Sequence, residues 1–362
     1  MSSFFPNSFT KYPLIRRSLP LRTLLESILD YGYSASGKAG GFMARDWHRG
    51  PNLSLAALSF DLHQKLAEEY GGEEKWGYRR LTTVQVELKA EERFEDVPDI
   101  NWIDKATSSS VIGDSSSTAQ VTPGLFTEAM VSLAQEKGVK VTIATVTGIE
   151  MDGSGLPTAV IATNDQGERI RVEATDVLFA TGPWTASLAK KVLGKRAGSA
   201  LDIEPSRCST SVVFRPSIPV SAHALFTEMH TPDGKSTSPE IYPRGDGTVY
   251  MCGDHTDPLR QRPFPERADA IAPSEIAIKN LTQRLAFVSE KFKDAEIVVT
   301  QACFRPESKR NRPLIGKLGE GLWIASGHSV WGICNAPGTG KVMSELLLDG
   351  EATSADIRGL RP

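Results

Sequence analysis

The chain has 362 residues, 40% hydrophobic and 23% charged. That is ordinary globular composition, with length enough for two domains or one large domain with an interleaved partner. The formal net charge is −3, which favours neither nucleic acid nor an anionic membrane surface as a partner.

Four cysteines, Cys208, Cys252, Cys303 and Cys334, make no C-x-x-C pair. Neither a metal site nor a disulfide framework is therefore expected, and reduced thiols in an intracellular protein are the reading. No apolar run reaches the roughly 18 residues of a membrane span. The first 25 residues carry Lys11, Arg16, Arg17 and Arg22 without an acid, a composition that mitochondrial transit peptides share. A cytoplasmic location is expected, with a mitochondrial one as the alternative.

In chain order, Leu21 to Glu26 reads as a short apolar strand ending in an acid. Ser34 to Gly41 is a Gly/Ala/Ser run that cannot pack a core, and so is expected to be a loop where backbone approaches something closely. Leu55, Leu58, Leu62 and Leu66 recur at helical spacing and predict an amphipathic helix over Leu53 to Tyr70. A second helix is predicted over Pro123 to Lys137, with Leu125, Phe126, Ala129, Met130 and Leu133 facing inward and Gly138 as its stop. Val139 to Ile149, Ala159 to Thr163 and Arg169 to Glu173 read as strands, with turns at Asp152-Gly153 and Asn164 to Gly167. Asp176 to Gly182 reads as a buried strand entering a glycine turn.

From residue 203 to 302 the pattern changes. Ser211 to Arg215, Glu240 to Tyr242 and Thr248 to Cys252 read as strands, the last two joined by a Gly245-Asp246-Gly247 hairpin turn. Ser274 to Lys291 reads as a helix with Ile276, Ile278, Leu281 and Leu285 among its apolar positions. Leu322 to Leu348 returns to strand, Gly-rich loop and helix. A helix start near Gly338 would offer unpaired N–H groups and a positive dipole end.

The C-terminal block carries the strongest signal. Cys303-Phe304-Arg305-Pro306 is followed by Arg312-Pro313-Leu314-Ile315-Gly316, the strand Leu322 to Ala325, the loop Gly327-His328-Ser329-Val330-Trp331-Gly332 and Pro337-Gly338-Thr339-Gly340. This block resembles the C-terminal signature of the D-amino-acid-oxidase-like flavoproteins, which include glycine oxidase and sarcosine oxidase. The resemblance extends back to about residue 21. Ala35 to Gly41 is similar to the family's loop passing the flavin ring, and Ala180-Thr181-Gly182-Pro183-Trp184 to its A-[AT]-G-x-W strand end. The detailed wording is closest to a group of fungal proteins classed as oxidoreductases.

The resemblance implies a mixed α/β fold: an FAD/NAD(P)-binding Rossmann-like domain interleaved with an antiparallel-sheet substrate domain. The expected division is an atypical segment over 1–20, an FAD-binding domain over 21–202 and 303–362 that includes interleaved substrate-domain parts, and a substrate domain over 203–302. It implies FAD as cofactor and oxidation of a C–N bond in a small amine or amino acid, with O2 as the expected electron acceptor. The implied cofactor-binding residues are Glu26 at the ribose, Val146 by the adenine, Ser36, Lys38, Ala39, Gly40 and Gly41, then Ala180, Thr181, Gly182 and Trp184, and finally Gly327, Trp331, Gly332 and Ile333. Arg305 matches the arginine that holds the amino-acid carboxylate, which a planar guanidinium grips bidentately. A structural salt bridge is the competing role, because Lys309, Arg310 and Arg312 crowd the segment. His328 is an acid–base candidate or a wall of the cofactor pocket.

One part of the family pattern is not visible. The dinucleotide site uses an opening strand and G-x-G-x-x-G before the strand that ends in the acid, and Met1 to Pro20 contains no glycine. The expectation is therefore a Rossmann-like domain truncated at its N-terminus. The rival to an oxidoreductase is a non-catalytic or inactive form of the fold acting as an interaction module. Gly338-Thr339-Gly340-Lys341 is no Walker loop, since Asn335 and Val342 stand where Gly and Ser/Thr belong.

Overall fold

The computed structural model describes residues 23–26, 34–231, 234 and 236–362. The helix at Asn52–Tyr70 buries Leu55, Ala56, Phe60 and Ala67 on one face. It ends where Gly71 takes φ 73°, a left-handed turn open to glycine without a Cβ penalty. The next long helix, Pro123–Glu136, has proline in its first turn, where a missing N–H costs nothing. Its inward face is narrower than the apolar spacing predicted: Phe126 is buried but Leu125 is exposed.

An eight-stranded sheet dominates the chain. Its strands run in the order Glu296–Cys303, Ser209–Arg215, Val249–Cys252, Glu240–Pro243, His223–His230, Thr82–Lys89 and Ser108–Gly113, with Ser236–Thr237 attached to His223–His230. Every pairing is antiparallel except that of Thr82–Lys89 with His223–His230. Two of its strands thus come from outside the 203–302 segment, so the sheet interleaves with the other layer through residues 82–113 as well.

Strand alternation gives this sheet two distinct faces. Val212, Phe214, Leu225, Ile241, Val249 and Met251 form one face and pack on Leu281, Leu285 and Val288 of the helix Glu275–Val288. Burial of each such side chain is worth about 1.5–3 kcal/mol. That helix is capped by Ser274, whose hydroxyl accepts from the Ala277 N–H, and it leaves Ile276 exposed. The residues between them, Val213, Tyr242 and Tyr250, point to the opposite face and meet Phe42.

Parallel pairing marks the other layer. Thr23–Glu26 lies parallel to Lys140–Ile143, and Val177–Phe179 lies parallel to Leu322–Ser326, which is in turn antiparallel to Leu314–Gly319. Among the described residues these form two separate sheets. Among the described residues Val177–Phe179 therefore has one edge without a strand neighbour, and Leu178 is 40% exposed rather than buried as the sequence suggested.

Two local expectations are corrected. Ala35–Lys38 is a short helical turn, not an irregular loop; its small side chains permit close packing without preventing helical φ/ψ. The last helix begins at Gly332, not near Gly338, and runs through Pro337 to Leu348. Gly338 sits inside it because the helix packs on Asn52–Tyr70: an added Cβ would lie 2.9 Å from Ser59 Cβ and 3.0 Å from the Leu55 carbonyl. The Gly338 N–H donates to Ser59 Oγ at 3.0 Å.

Candidate active site

Four groups of the residues nominated from sequence lie at or just beyond the carboxyl ends of strands in parallel pairs, where open α/β sheets bind ligands. Glu26 ends Thr23–Glu26, and Val146 follows Lys140–Ile143 at an irregular register in the next strand. Ala180 to Trp184 follow Val177–Phe179, and Gly327 to Ile333 follow Leu322–Ser326.

Gly182 takes φ 53° and faces open space. Its carbonyl lies 2.7 Å from Thr185 Oγ1 and 3.2 Å from Ser326 Oγ, and the two hydroxyls are 2.9 Å apart. This knot ties the ends of the two parallel strands together. Trp184 is directed elsewhere: its indole N–H donates to the Pro265 carbonyl at 2.9 Å and its ring packs on Phe264.

Gly327 takes φ 86°, and an added Cβ would lie 2.7 Å from Ile203 Cδ1. Ser329 also has positive φ, 51°, an uncommon conformation for a residue with a side chain. His328 Nε2 lies 3.0 Å from Thr339 Oγ1, whose own proton goes to the Asn335 carbonyl at 2.8 Å. Nε2 therefore carries a proton and donates. Burial depresses the His328 pKa to about 4, so at neutral pH this is an uncharged, hydrogen-bonded wall of the site. The Trp331 ring meets the buried His48 at 4.2 Å, and the Ile333 carbonyl is 2.9 Å from His63 Nε2.

Beside this loop lies a cleft of about 380 Å³ whose lining includes Asn52, Arg312, Gly327, His328, Trp331 and Asn335. Asn52 Oδ1, Asn335 Oδ1 and Arg312 Nε are buried there without a hydrogen-bond partner among the described residues. Such atoms cost about 1–3 kcal/mol each unless a ligand or water satisfies them. Donors and acceptors unpaired beside a glycine turn suit a flat ring bearing both carbonyl and N–H groups, as FAD does.

The inner face of the large sheet closes the site from the other side. The Lys38 carbonyl accepts from Gln301 Nε2 at 2.9 Å and from the Tyr250 hydroxyl at 3.4 Å, while Lys38 Nζ donates to the Ala302 carbonyl at 3.1 Å. Burial lowers the Lys38 pKa, partly opposed by Cys303 and Cys208. Ser36 is exposed, and Ala39 packs against the cluster of Met43 and Phe126. Gly40 lies on the Tyr242 ring, where an added Cβ would come within 2.5 Å. Gly41, with φ 87°, would place a Cβ 2.0 Å from the Val121 carbonyl, so only glycine fits there.

Arg305 is half-buried. Its backbone is fixed by reciprocal 2.8 Å bonds with Ser206. Among the described residues its guanidinium makes one long contact, 3.6 Å to Glu307, and its Nε is buried with no partner. Of the neighbouring cations, Lys309 is engaged with Glu204 and Arg310 with Asp202. The sequence motifs did not nominate Tyr242, Tyr250, Glu240 or Cys252. Their period-2 placement on two hairpin strands was the available signal, but it names two faces without saying which one meets the site.

The fold and cleft define a two-layer α/β protein with a candidate site at the ends of parallel strands and against an antiparallel sheet. A family model for FAD dependent oxidoreductases (DAO) matches residues 14–346. The chain is similar to "Putative oxidoreductase C1F5.03c" of Schizosaccharomyces pombe, at 33% identity over 97% of this chain and 92% of the relative. It is similar also to "Putative oxidoreductase TDA3" of Saccharomyces cerevisiae, at 28% identity over 98% and 90%. Glycine oxidase from Geobacillus kaustophilus superposes with a TM-score of 0.69 over 94% of this chain and 90% of that one, at 21% identity. L-proline dehydrogenase from P. horikoshii gives 0.71 over 95% and 98%, at 15% identity. At those identities the two structures speak for the fold alone.

The chain belongs to the DAO family of FAD-dependent oxidoreductases. The expected fold class, cofactor and enzyme class stand. Among the described residues no helix is long and apolar enough to cross a membrane.

Proposed function

We propose that this oxidoreductase removes hydride from a carbon bearing nitrogen in a small amine or amino acid, with Arg305 orienting a carboxylate. The carrying observation is the Arg305 guanidinium: held by its backbone at the substrate-sheet side of the site, with Nε buried and unpartnered among the described residues while the nearby Lys309 and Arg310 are paired. A buried guanidinium without a full set of acceptors is stabilised by a ligand carboxylate.

FAD, when bound, supplies the two-electron acceptor. The residues placed to hold it are Lys38 to Gly41 on one side, Gly327 to Ile333 on the other, with Glu26, Val146 and Ala180 to Gly182 toward the dinucleotide end. In this reading the chain's own residues bind, orient and exclude water. Arg305 fixes the carboxylate, Tyr242 and Tyr250 wall the site, and His328 stays neutral. Residues 21–202 and 303–362 form the cofactor half and 203–302 the substrate half, with Thr82–Gly113 lending two strands to the substrate sheet. Oxygen is the proposed final electron acceptor, and the cytoplasm the proposed compartment.

The test is a screen of the FAD-loaded protein for anaerobic flavin bleaching by L- and D-amino acids and simple amines. Arg305→Ala is expected to lower kcat/KM for the responding amino acid by roughly 30-fold or more. An Arg305→Ala variant with unchanged kcat/KM would overturn the role given to Arg305.

A further inference from the structure

The small sheet that carries Phe42–Ala44 presents a row of side chains to the substrate sheet. Its strands run in the order Phe42–Ala44, Thr118–Gln120 and Arg79–Arg80. Gln120 stands directly opposite Phe42 on one side and Arg79 on the other. Residues opposed in this way in antiparallel strands project from one face, with Cβ atoms about 4.5–5.5 Å apart. Both ends of the row are fixed to the strand Glu240–Pro243: the Phe42 ring stacks on Tyr242 at 5.6 Å and 9°, and Arg79 Nη2 donates to the Pro243 carbonyl. Gln120, held between them, faces the same strand.

Its polar atoms have nothing to bond there. Gln120 is 1% exposed, yet among the described residues neither Nε2 nor Oε1 has a hydrogen-bond partner, and Arg79 Nε beside it is also buried and unpartnered. Among the described residues no carboxylate pairs with the Arg79 guanidinium. Burial lowers its pKa, opposed at longer range by Asp246, whose Oδ1 is taken by the Thr248 N–H and hydroxyl at 2.9 and 2.7 Å. A desolvated guanidinium without a counter-ion, next to an amide without partners, costs stability unless something fills the place. Arg79 lies on the edge strand of its sheet and is half-buried, so the row is reached from that side.

The unused groups define the occupant. Arg79 supplies charge and N–H donors, the Gln120 amide supplies two more donors, and its oxygen needs a donor in return; turning the amide over exchanges its ends without changing this set. A carboxylate with a hydroxyl on the next carbon meets all of them. We propose that Arg79 and Gln120 form a second anion site that takes a small hydroxy-carboxylate. It is separate from the place of Arg305. Pro243 aligns with Val249 and Phe214 at one end of the large sheet, whereas Ser209 and Cys303, two residues before Arg305, align at the other. The strands that carry Pro243 and Cys303 are also three spacings of roughly 4.8 Å apart. The site therefore does not depend on the C–N reading, and it binds without taking part in the chemistry.

The experiment uses the FAD-loaded protein carrying Arg305→Ala, so that the other proposed carboxylate position is removed. It is titrated with glycolate, acetate and inorganic phosphate, reading calorimetric heat and melting temperature. Glycolate is expected to bind one-to-one and about ten-fold more tightly than acetate, which leaves the Gln120 oxygen without a donor. Arg79→Ala is expected to weaken glycolate by roughly 30-fold or more, and Arg79→Lys by less. Gln120→Leu is expected to weaken it about ten-fold while raising the melting temperature of the ligand-free protein, because a buried amide without partners is gone; this variant keeps the test decisive if Arg79→Ala fails to fold. Glycolate binding that needs Arg305, or that survives unchanged in both Arg79→Ala and Gln120→Leu, overturns the site and leaves the proposed function standing. Absence of saturable binding overturns it too, and phosphate binding more tightly than glycolate overturns the carboxylate class.

Discussion

Gly40→Ala tests the packing of the flavin-side turn against the substrate sheet. The new Cβ would lie 2.5 Å from Cδ2 and Cε2 of Tyr242 and 3.0 Å from Cε1 of Tyr250. Neither ring has a free direction of retreat. Tyr242 is stacked between Phe42, 5.6 Å away at 9°, and Tyr250, 6.0 Å away at 11°. The Tyr250 hydroxyl is in turn bonded to the Lys38 carbonyl. Gly40 does not have positive φ, so alanine meets no backbone penalty and the cost is steric. Overpacking by one methyl in a site of this kind costs about 1–3 kcal/mol. If the turn moves to relieve it, the Gln301 and Tyr250 bonds to the Lys38 carbonyl lengthen and the flavin-facing backbone shifts with them. The expected result is a loss of about 1–3 kcal/mol in urea unfolding together with weaker FAD binding, measured by quenching of FAD fluorescence. Gly245→Ala is the control, because nothing lies within 4 Å of its added Cβ. A Gly40→Ala protein that unfolds and binds FAD like Gly245→Ala would refute the close approach described for this turn.

Acid should destabilise the chain well above the carboxylate range. Burial holds His48, His63 and His328 at a pKa of about 4, against about 6.5 in an unfolded chain. The unfolded state therefore takes up more protons, so stability is full above about pH 6.5 and falls as pH drops toward 4, by up to ~1.4 kcal/mol per pH unit for each histidine. Urea midpoints between pH 7.5 and 5 should fall accordingly, and His63→Asn should shallow the slope; a flat profile would contradict the burial of these rings. Thr185→Val should cost about 1–3 kcal/mol in urea unfolding, since it strips the hydroxyl bridging the Gly182 carbonyl and Ser326. A variant as stable as the parent would show that the knot contributes nothing.

Local pattern carried much of this protein. The apolar spacing of Leu55, Leu58, Leu62 and Leu66 predicts a helix, and one spans Asn52–Tyr70; Gly245-Asp246-Gly247 predicts a hairpin, and Tyr242 pairs with Tyr250 across it. The ordered C-terminal motifs pointed to the FAD-dependent class that the family match supports. These signals are short-range: helix and turn geometry depend on neighbours within a few residues. Reading Met1–Pro20 as atypical lies outside the described residues.

Tertiary structure alone decided the rest. Period 2 shows that Glu240, Tyr242, Tyr250 and Cys252 share a face, but only the docking of the Glu275–Val288 helix on Ile241 and Met251 turns that face toward Lys38 and Gly40. Thr82–Lys89 joined the substrate sheet by a parallel pairing with His223–His230, some 140 residues away in sequence, a distance across which no local preference acts. Gly338 was absorbed into a helix interior because Asn52–Tyr70 left room there for hydrogen alone. Sequence determined which segments could form and which chemistry they could carry; long-range packing, which depends on shape complementarity between distant segments, determined which side chains meet.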